Sequence, residues 1–288
     1  MIGRARLQKK IVATTLLTLS SLPLHSSFLS FGRQFHRTSA RFAPVTSRPM
    51  SRETETSPGA SDAKITILGL GSLLSERSSR TTFPDLENFR LARVPNYRRV
   101  FGHPASIFFQ RGIANLETKE ISSLSAEPCE GHPGFICSVF EVPNRDIMKD
   151  GIPSQAFLER EEEFNIAPGV EYSPLDDPGK RGQGILCTAS SDEAYLSRWG
   201  EEHFQQQYKK YGVDTIWGWN ENSGLRPCAV YLRHCYLAAK SMGDACFQSF
   251  LDETFLVDRR TTVRGYIEKH PEVLGTQPPK ELVGRYSG

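Results

Sequence analysis

The stretch "KITILGLGSLLSER", Lys64 to Arg77, is where the reading of this chain turns. An apolar run, Ile65 to Leu68, meets Gly69-Leu70-Gly71-Ser72, and Leu73 and Leu74 follow before a charged pair. Such a run reads as a buried strand turning sharply into a loop or short helix. Two phosphate-binding readings fail on spacing. A dinucleotide fingerprint requires a third glycine three residues after Gly71, where Leu74 stands, and a Walker loop requires a Gly-Lys-Ser/Thr that is absent. The loop is therefore either a plain tight turn or a cradle for some other group.

Outward from this loop, short apolar runs alternate with turns. "NFRLARVPNYRRVFG", "ASIFFQRGIANLE", "GFICSVFEVP" and "GQGILCTAS" read as strands, with a period of two in Phe135-Ile136-Cys137-Ser138-Val139-Phe140. After Ser190 the texture becomes helical, in "SDEAYLSRWGEEHFQQQYKKYG" and "RPCAVYLRHCYLAAKSMGDACFQSFLDETFLVD". In the latter, Val230, Leu237, Phe247, Leu251 and Phe255 form an apolar stripe broken near Gly243. A strand-rich first half and a helical second half predict one α+β domain over residues 61–288.

"SQAFLEREEEF", Ser154 to Phe164, is the most informative acidic segment. Ser154 follows Pro153 as an N-cap, and no breaker occurs before Pro168, so the run predicts a helix. With Phe157 at 0° and a step of roughly 100° per residue, Glu161 falls at roughly 40°, inside the apolar arc. Glu159, Glu162 and Glu163 fall away from it. Glu161 then either pairs with Arg160 on a solvated acidic helix or lies in a partly dry pocket. In the second case its pKa rises toward neutrality, which suits a general acid/base.

The charge of the chain is uneven. Residues 1–52 carry nine Lys/Arg and no Asp or Glu. Of 35 basic residues in the whole chain this leaves 26 against 33 acidic ones, a net of −7 for the body, which excludes nucleic-acid binding on charge grounds. "MIGRARLQKK" is a basic start, "IVATTLLTLSSLPL" an apolar stretch too short to span a bilayer comfortably, and an Arg/Ser-rich, acid-free tract follows. Residues 1–60 thus read as a targeting leader. Its two-part layout, with Ser26-Ser27 before Phe28, resembles plastid presequences of algae with complex plastids; a mitochondrial leader is the alternative. Cys129, Cys137, Cys187, Cys228, Cys235 and Cys246 include no CxxC pair, which points to buried free thiols and not to a zinc site or a disulfide framework.

Several blocks, in order, resemble the γ-glutamylcyclotransferase superfamily. "LGLGSLLSER" is similar to its Tyr-Gly-Ser-Asn/Leu-Leu loop, "ARVPNYRRVFG" to the next strand and "RGIANLE" to a Gly-x-Ala-Thr/Asn strand. "HPGFICSVFEVP" resembles a further strand, "FLEREEEF" the helix bearing the catalytic Glu, and "LRPCAVYLRHCYLAAKSMGDACFQSFLDE" the Pro-x-x-x-Tyr-Leu helix of the glutathione-degrading, ChaC-like branch. Together they span about Ile65 to Leu256. The resemblance implies a small mixed β-sheet or barrel with flanking helices and a helical C-terminal part. It also implies an enzyme, a carbon–nitrogen lyase that releases 5-oxoproline from a γ-glutamyl amide or glutathione, with no metal or nucleotide cofactor. Glu161 matches the catalytic position, with Glu162 if the register slips by one. The implied substrate-binding residues are Leu70, Gly71, Ser72, Leu73 and Tyr231, the Gly-Ser loop offering N–H groups and a hydroxyl to a carboxylate or oxyanion.

Departures stand beside these matches. Leu70 replaces the family's tyrosine, Tyr231 is a candidate for the missing hydroxyl, and "EEFNIAPG" replaces the glycines that usually follow the glutamate. Arg111 either pairs with a substrate carboxylate or sits at a strand end on the surface. A catalytically inactive ligand-binding member of the fold is the rival reading. Another is an interaction protein that uses "WGWNENSG" and "DRRTTVRGYI", in which Arg259, Arg260 and Arg264 read as a solvated helix face.

Overall fold

The computed structural model describes residues 63–144, 147–149 and 151–288. The predicted leader and its cleavage region lie outside them.

The apolar run ahead of the glycine loop is strand β1, Lys64–Gly69. Helix α1, Glu76–Thr82, follows, capped by the Ser75 hydroxyl, which accepts from the Ser78 N–H. Strands β2, Glu87–Val94, and β3, Tyr97–Pro104, come next; what read as one strand is two, parted at Pro95-Asn96, where Asn96 takes φ 59°. "ASIFFQ" is not a strand but helix α2, Ser106–Gln110. Strands β4, Glu120–Pro128, and β5, Phe135–Pro143, precede a small hairpin, β6, Met148–Lys149, with β7, Ile152–Pro153. Helix α3, Gln155–Arg160, then leads into β8, Asn165–Pro174, and β9, Gly182–Thr188. The helical part comprises α4, Asp192–Gln207, bent where Gly200 takes φ 81°, then β10, Arg226–Pro227, and α5, Ala229–Ser241. It ends with α6, Asp244–Asp252, β11, Thr254–Leu256, and α7, Val263–Lys269.

Five strands close on themselves. β1 pairs antiparallel with β5, β5 with β2, β2 with β8 and β8 with β9, and β9 returns to β1 in parallel through Ile67–Ile185 and Leu68–Leu186. Beyond β9 the sheet continues through β4 and β3 to β11, with β10 alongside β4. The expected α+β architecture, a small mixed sheet closed into a barrel with flanking helices, is present.

Side-chain alternation divides the packing. Ile67, Phe140, Val142, Ile166 and Ile185 pack with Phe83, Leu86 and Phe157 around α1 and α3. The alternate residues Leu68, Val139, Val170 and Leu186 belong to a core shared with Leu232, Cys235 and Ala239 of α5 and Phe250 of α6. A third cluster gathers Tyr195, Phe204, Tyr208 and Ile216 against Phe109 and Ile121.

The predicted helix over Ser154–Phe164 is corrected by the structure. Ser154 caps its start as expected, its hydroxyl accepting from the Phe157 N–H at 3.2 Å, but the helix stops at Arg160. Glu161 is its C-cap at φ −109°, ψ 44°, and by Asn165 the chain pairs with Thr188 of β9. The demand of the sheet outweighs local helix propensity. Glu161 and its neighbours therefore stand on a turn between α3 and β8, not on a helix face.

Candidate active site

Three side chains of the helical part hold this turn from outside. Trp199 Nε1–H donates to the Glu162 carbonyl at 3.0 Å, Trp217 Nε1–H to the Glu163 carbonyl at 3.2 Å and Arg198 to the Phe164 carbonyl at 3.0 Å. Three successive carbonyls that no helix or strand satisfies thus gain donors. Trp217 also stacks on the fully buried His103, with ring centroids 4.2 Å apart. The tryptophans of "WGWNENSG" are half-buried, and Trp217 and Trp219 each donate to a carbonyl within the fold. Arg259 and Arg260 are not on a helix: Arg259 pairs with Glu127 at 2.6 Å and Arg260 with Glu221, while Arg264 of α7 pairs with Asp252 at 2.6 Å.

The turn borders a cleft of about 210 Å³. Of the residues marked by the sequence, Leu70, Gly71, Ser72, Leu73, Glu161 and Tyr231 all line it. Glu162 does not: its carboxylate faces His203, 3.0 Å from Nε2. Arg111 does line the cleft, half-buried just beyond α2 and not at a strand end, with its guanidinium donating to the Tyr286 hydroxyl at 2.9 Å.

The glycine loop is built for close approach. A Cβ at Gly71 would lie 2.6 Å from the Tyr231 hydroxyl, and one at Gly69 would lie 2.4 Å from the Ser138 hydroxyl. Ser138 donates to the Leu73 carbonyl at 2.6 Å, and Ser79 donates to the same carbonyl at 2.7 Å. The Tyr231 phenol lies beside Ser72, Ser123 and Cys235, and burial raises its pKa well above the usual value. It brings α5 close against the loop at Gly71. The Ser72 hydroxyl and the Leu73 N–H take no partner among the described residues, and both border the cleft. From beneath, the fully buried Arg99 donates to the Ile136 carbonyl at 3.1 Å and the Leu70 carbonyl at 3.4 Å.

Two carboxyls line the same cleft. Glu161 has its pKa raised by burial, against the opposing pull of Arg160, which pairs with it at 3.1 Å, and it contacts the Cys187 thiol. Arg160 itself lies over the Phe83 ring, 4.2 Å from its centroid. Glu163 is 7 % exposed and lines the same cleft. Its Oε1 accepts from the Tyr208 hydroxyl at 2.6 Å and from the Ser106 N–H at 2.9 Å. Burial first, then the nearby Glu162 charge, push its pKa up to about 7 although both hydrogen bonds pull it down.

Helical phasing had turned Glu163 away from the apolar side, and that placement is corrected: with the helix over at Arg160, the phase no longer applies. No signal in the sequence marks this residue, because the turn contains neither Gly nor Pro. Among the described residues no group of three His, Cys, Asp or Glu could hold a metal, and all six cysteines are free.

No family model matches the chain, and no curated protein matches it. Among solved structures it is similar to one titled "Gamma-glutamyl cyclotransferase", at TM-score 0.34 and 12% identity over 52% of this chain and 87% of that one. It is also similar to the crystal structure of an uncharacterized protein from Homo sapiens, at TM-score 0.32 and 13% identity over 52% of this chain and 86% of that one. At these scores the functional reading rests on the cleft itself.

Proposed function

We propose that this chain is a γ-glutamylcyclotransferase-type enzyme acting on a γ-glutamyl amide, peptide or glutathione, with Glu161 as general acid/base. One observation carries the reading. A desolvated carboxyl with a raised pKa shares a small cleft with a loop whose free Ser72 hydroxyl and Leu73 N–H offer donors to an anion.

In the proposed reaction the Glu161 carboxylate takes a proton from the substrate α-ammonium. The freed nitrogen attacks the γ-carbonyl carbon and closes a five-membered ring. Negative charge develops on the γ-oxygen, where a preorganised donor such as Ser72 or Leu73 is worth most. As the amide C–N bond breaks, Glu161 returns its proton to the leaving nitrogen. The second ammonium proton ends on the released amine, which leaves as an ammonium ion beside 5-oxoproline. Glu163, already holding Ser106 and Tyr208, acts as a fixed wall of the pocket.

Leu70 in place of a tyrosine favours a second reading in which the cleft binds a γ-glutamyl ligand without turning it over. Mass detection of 5-oxoproline separates the two. Release that is lost in Glu161→Gln supports the enzyme; ligand binding with no product supports the binding module. For the organelle, the leader favours a plastid over a mitochondrion, which imaging of the full chain fused to a fluorescent protein would decide.

A further inference from the structure

Glu163 does more than wall the pocket. Its Oε1 is saturated, since the Ser106 N–H donates to it at 2.9 Å and the Tyr208 hydroxyl at 2.6 Å. Tyr208 is committed as the donor there, because its own oxygen accepts from the same Ser106 N–H at 3.1 Å. Oε2 has no partner on another residue among the described residues, yet it is not sealed from solvent. Glu163 lines the cleft, so Oε2 is the oxygen that opens onto it. Among the described residues no Lys, Arg or His pairs with this carboxyl. The titratable groups that face it are Glu162 on the same turn, Tyr195 of α4 and Tyr208 at the C-cap of α4, and Glu162 in turn pairs with His203 of α4. One oxygen is thus held fixed while the other is left free to exchange a proton with whatever the cleft holds.

The proposed cyclisation, on which this inference rests, must move two protons. The α-nitrogen starts as an ammonium and ends as a lactam N–H; the amide nitrogen ends as an ammonium. Glu161 accounts for one of the two. After attack the ring nitrogen still carries the other, and its positive charge makes it the better leaving group. The addition intermediate therefore reverts unless that proton is removed. We infer that Glu163 is a second proton carrier, whose Oε2 takes the remaining proton from the ring nitrogen and delivers it to the released amine. The N–H bond breaks as the O–H bond forms, and the electron pair stays on the ring nitrogen. Glu163 returns to its carboxylate when the amine leaves as an ammonium ion. A pKa of about 7 suits a group that must take and give up a proton near neutrality.

The experiment follows kcat/KM against pH for 5-oxoproline release from γ-glutamyl-alanine by the full chain, in wild type, Glu163→Gln and Tyr208→Phe. Glu163→Gln keeps an acceptor for Ser106 and Tyr208 but takes up no proton. Its kcat/KM falls by about 100-fold, the lower range for a positioned acid/base group. Two carboxylates must be ionised in the wild type, so its acid limb begins near pH 7 and steepens below both pKa values. Glu163→Gln keeps only the single-proton limb of Glu161. A merely structural role for Glu163 would lower the rate and leave the shape of the limb unchanged. Tyr208 does not line the cleft, and Tyr208→Phe removes a hydrogen bond that favours the ionised carboxyl, so the start of the limb moves to higher pH. An undiminished rate in Glu163→Gln, a limb as steep as that of wild type, or a limb unmoved by Tyr208→Phe overturns the second carrier and leaves the Glu161 reaction standing. No product from the wild-type chain overturns the reaction itself, and the second carrier with it.

Discussion

Gly71 shows how little room the candidate site leaves. Its missing Cβ is the space occupied by the Tyr231 hydroxyl. Gly71→Ala forces a contact of 2.6 Å to open, so the loop or the phenol must move. We expect Gly71→Ala to lower kcat/KM about 100-fold, the scale of a roughly 1 Å misplacement of a reacting group. Tyr231→Phe added to it removes the clashing oxygen and recovers part of the loss. A Gly71→Ala enzyme with unchanged kinetics would mean that the loop does not position substrate. The loop residues were legible in the sequence because glycine and serine carry their geometry with them. Glu163 was not, since its burial comes from Tyr208 and Ser106, 45 and 57 residues away in the chain.

Elements tell a similar story. β1, β5 and β9 were readable because apolar runs bounded by turn residues are what a buried strand requires. β4, "EISSLSAEP", was missed. Its core positions include Ser122, Ser123 and Ser125, all buried, so polarity alone hid a central strand. α3 was read too long because the signal that ends it is the pairing of Asn165 with Thr188, not a local breaker. Barrel closure likewise has no sequence signature, since β1 and β9 are far apart in the chain and meet in parallel. That closure depends on Gly184, where a Cβ would lie 2.9 Å from the Leu68 side chain and 3.1 Å from the Thr66 carbonyl. Gly184→Val should destabilise the body by about 3 kcal/mol, the upper range of core overpacking, seen as a lower urea midpoint. A midpoint equal to wild type would show that the β1–β9 seam is loose.

At the scale of the whole molecule, the buried carboxyls tie stability to pH. Glu163 has a folded pKa of about 7 against 4.5 for the free side chain, so the folded state holds its proton more tightly. Its stabilising contribution is complete below about pH 4.5 and is lost as pH rises through about 7. The full span is about 3 kcal/mol at 1.36 kcal/mol per unit. His103 and His234, held neutral with pKa values of about 3 and about 4, act in the opposite sense: their contribution is present above 6.5 and is lost as pH falls. Glu163→Gln keeps an acceptor for Ser106 and Tyr208 but cannot ionise. Urea midpoints at pH 5 and pH 8 should therefore fall less in Glu163→Gln than in wild type. Parallel changes in the two proteins would mean that Glu163 is not desolvated. No helix of the described residues is long and apolar enough to cross a membrane.

The central claim is that Glu161 moves a proton in the cyclisation of a γ-glutamyl substrate. Its most direct test incubates the full chain with glutathione and a panel of γ-glutamyl amino acids and follows 5-oxoproline by mass. The account predicts product from wild type and a loss of at least about 100-fold in Glu161→Gln, the lower range for a positioned general acid/base. Because burial raises the Glu161 pKa, the acid limb of kcat/KM in the wild type should lie above the 4.5 of a free glutamate. Undiminished product in Glu161→Gln, or none from wild type with any member of the panel, would contradict it.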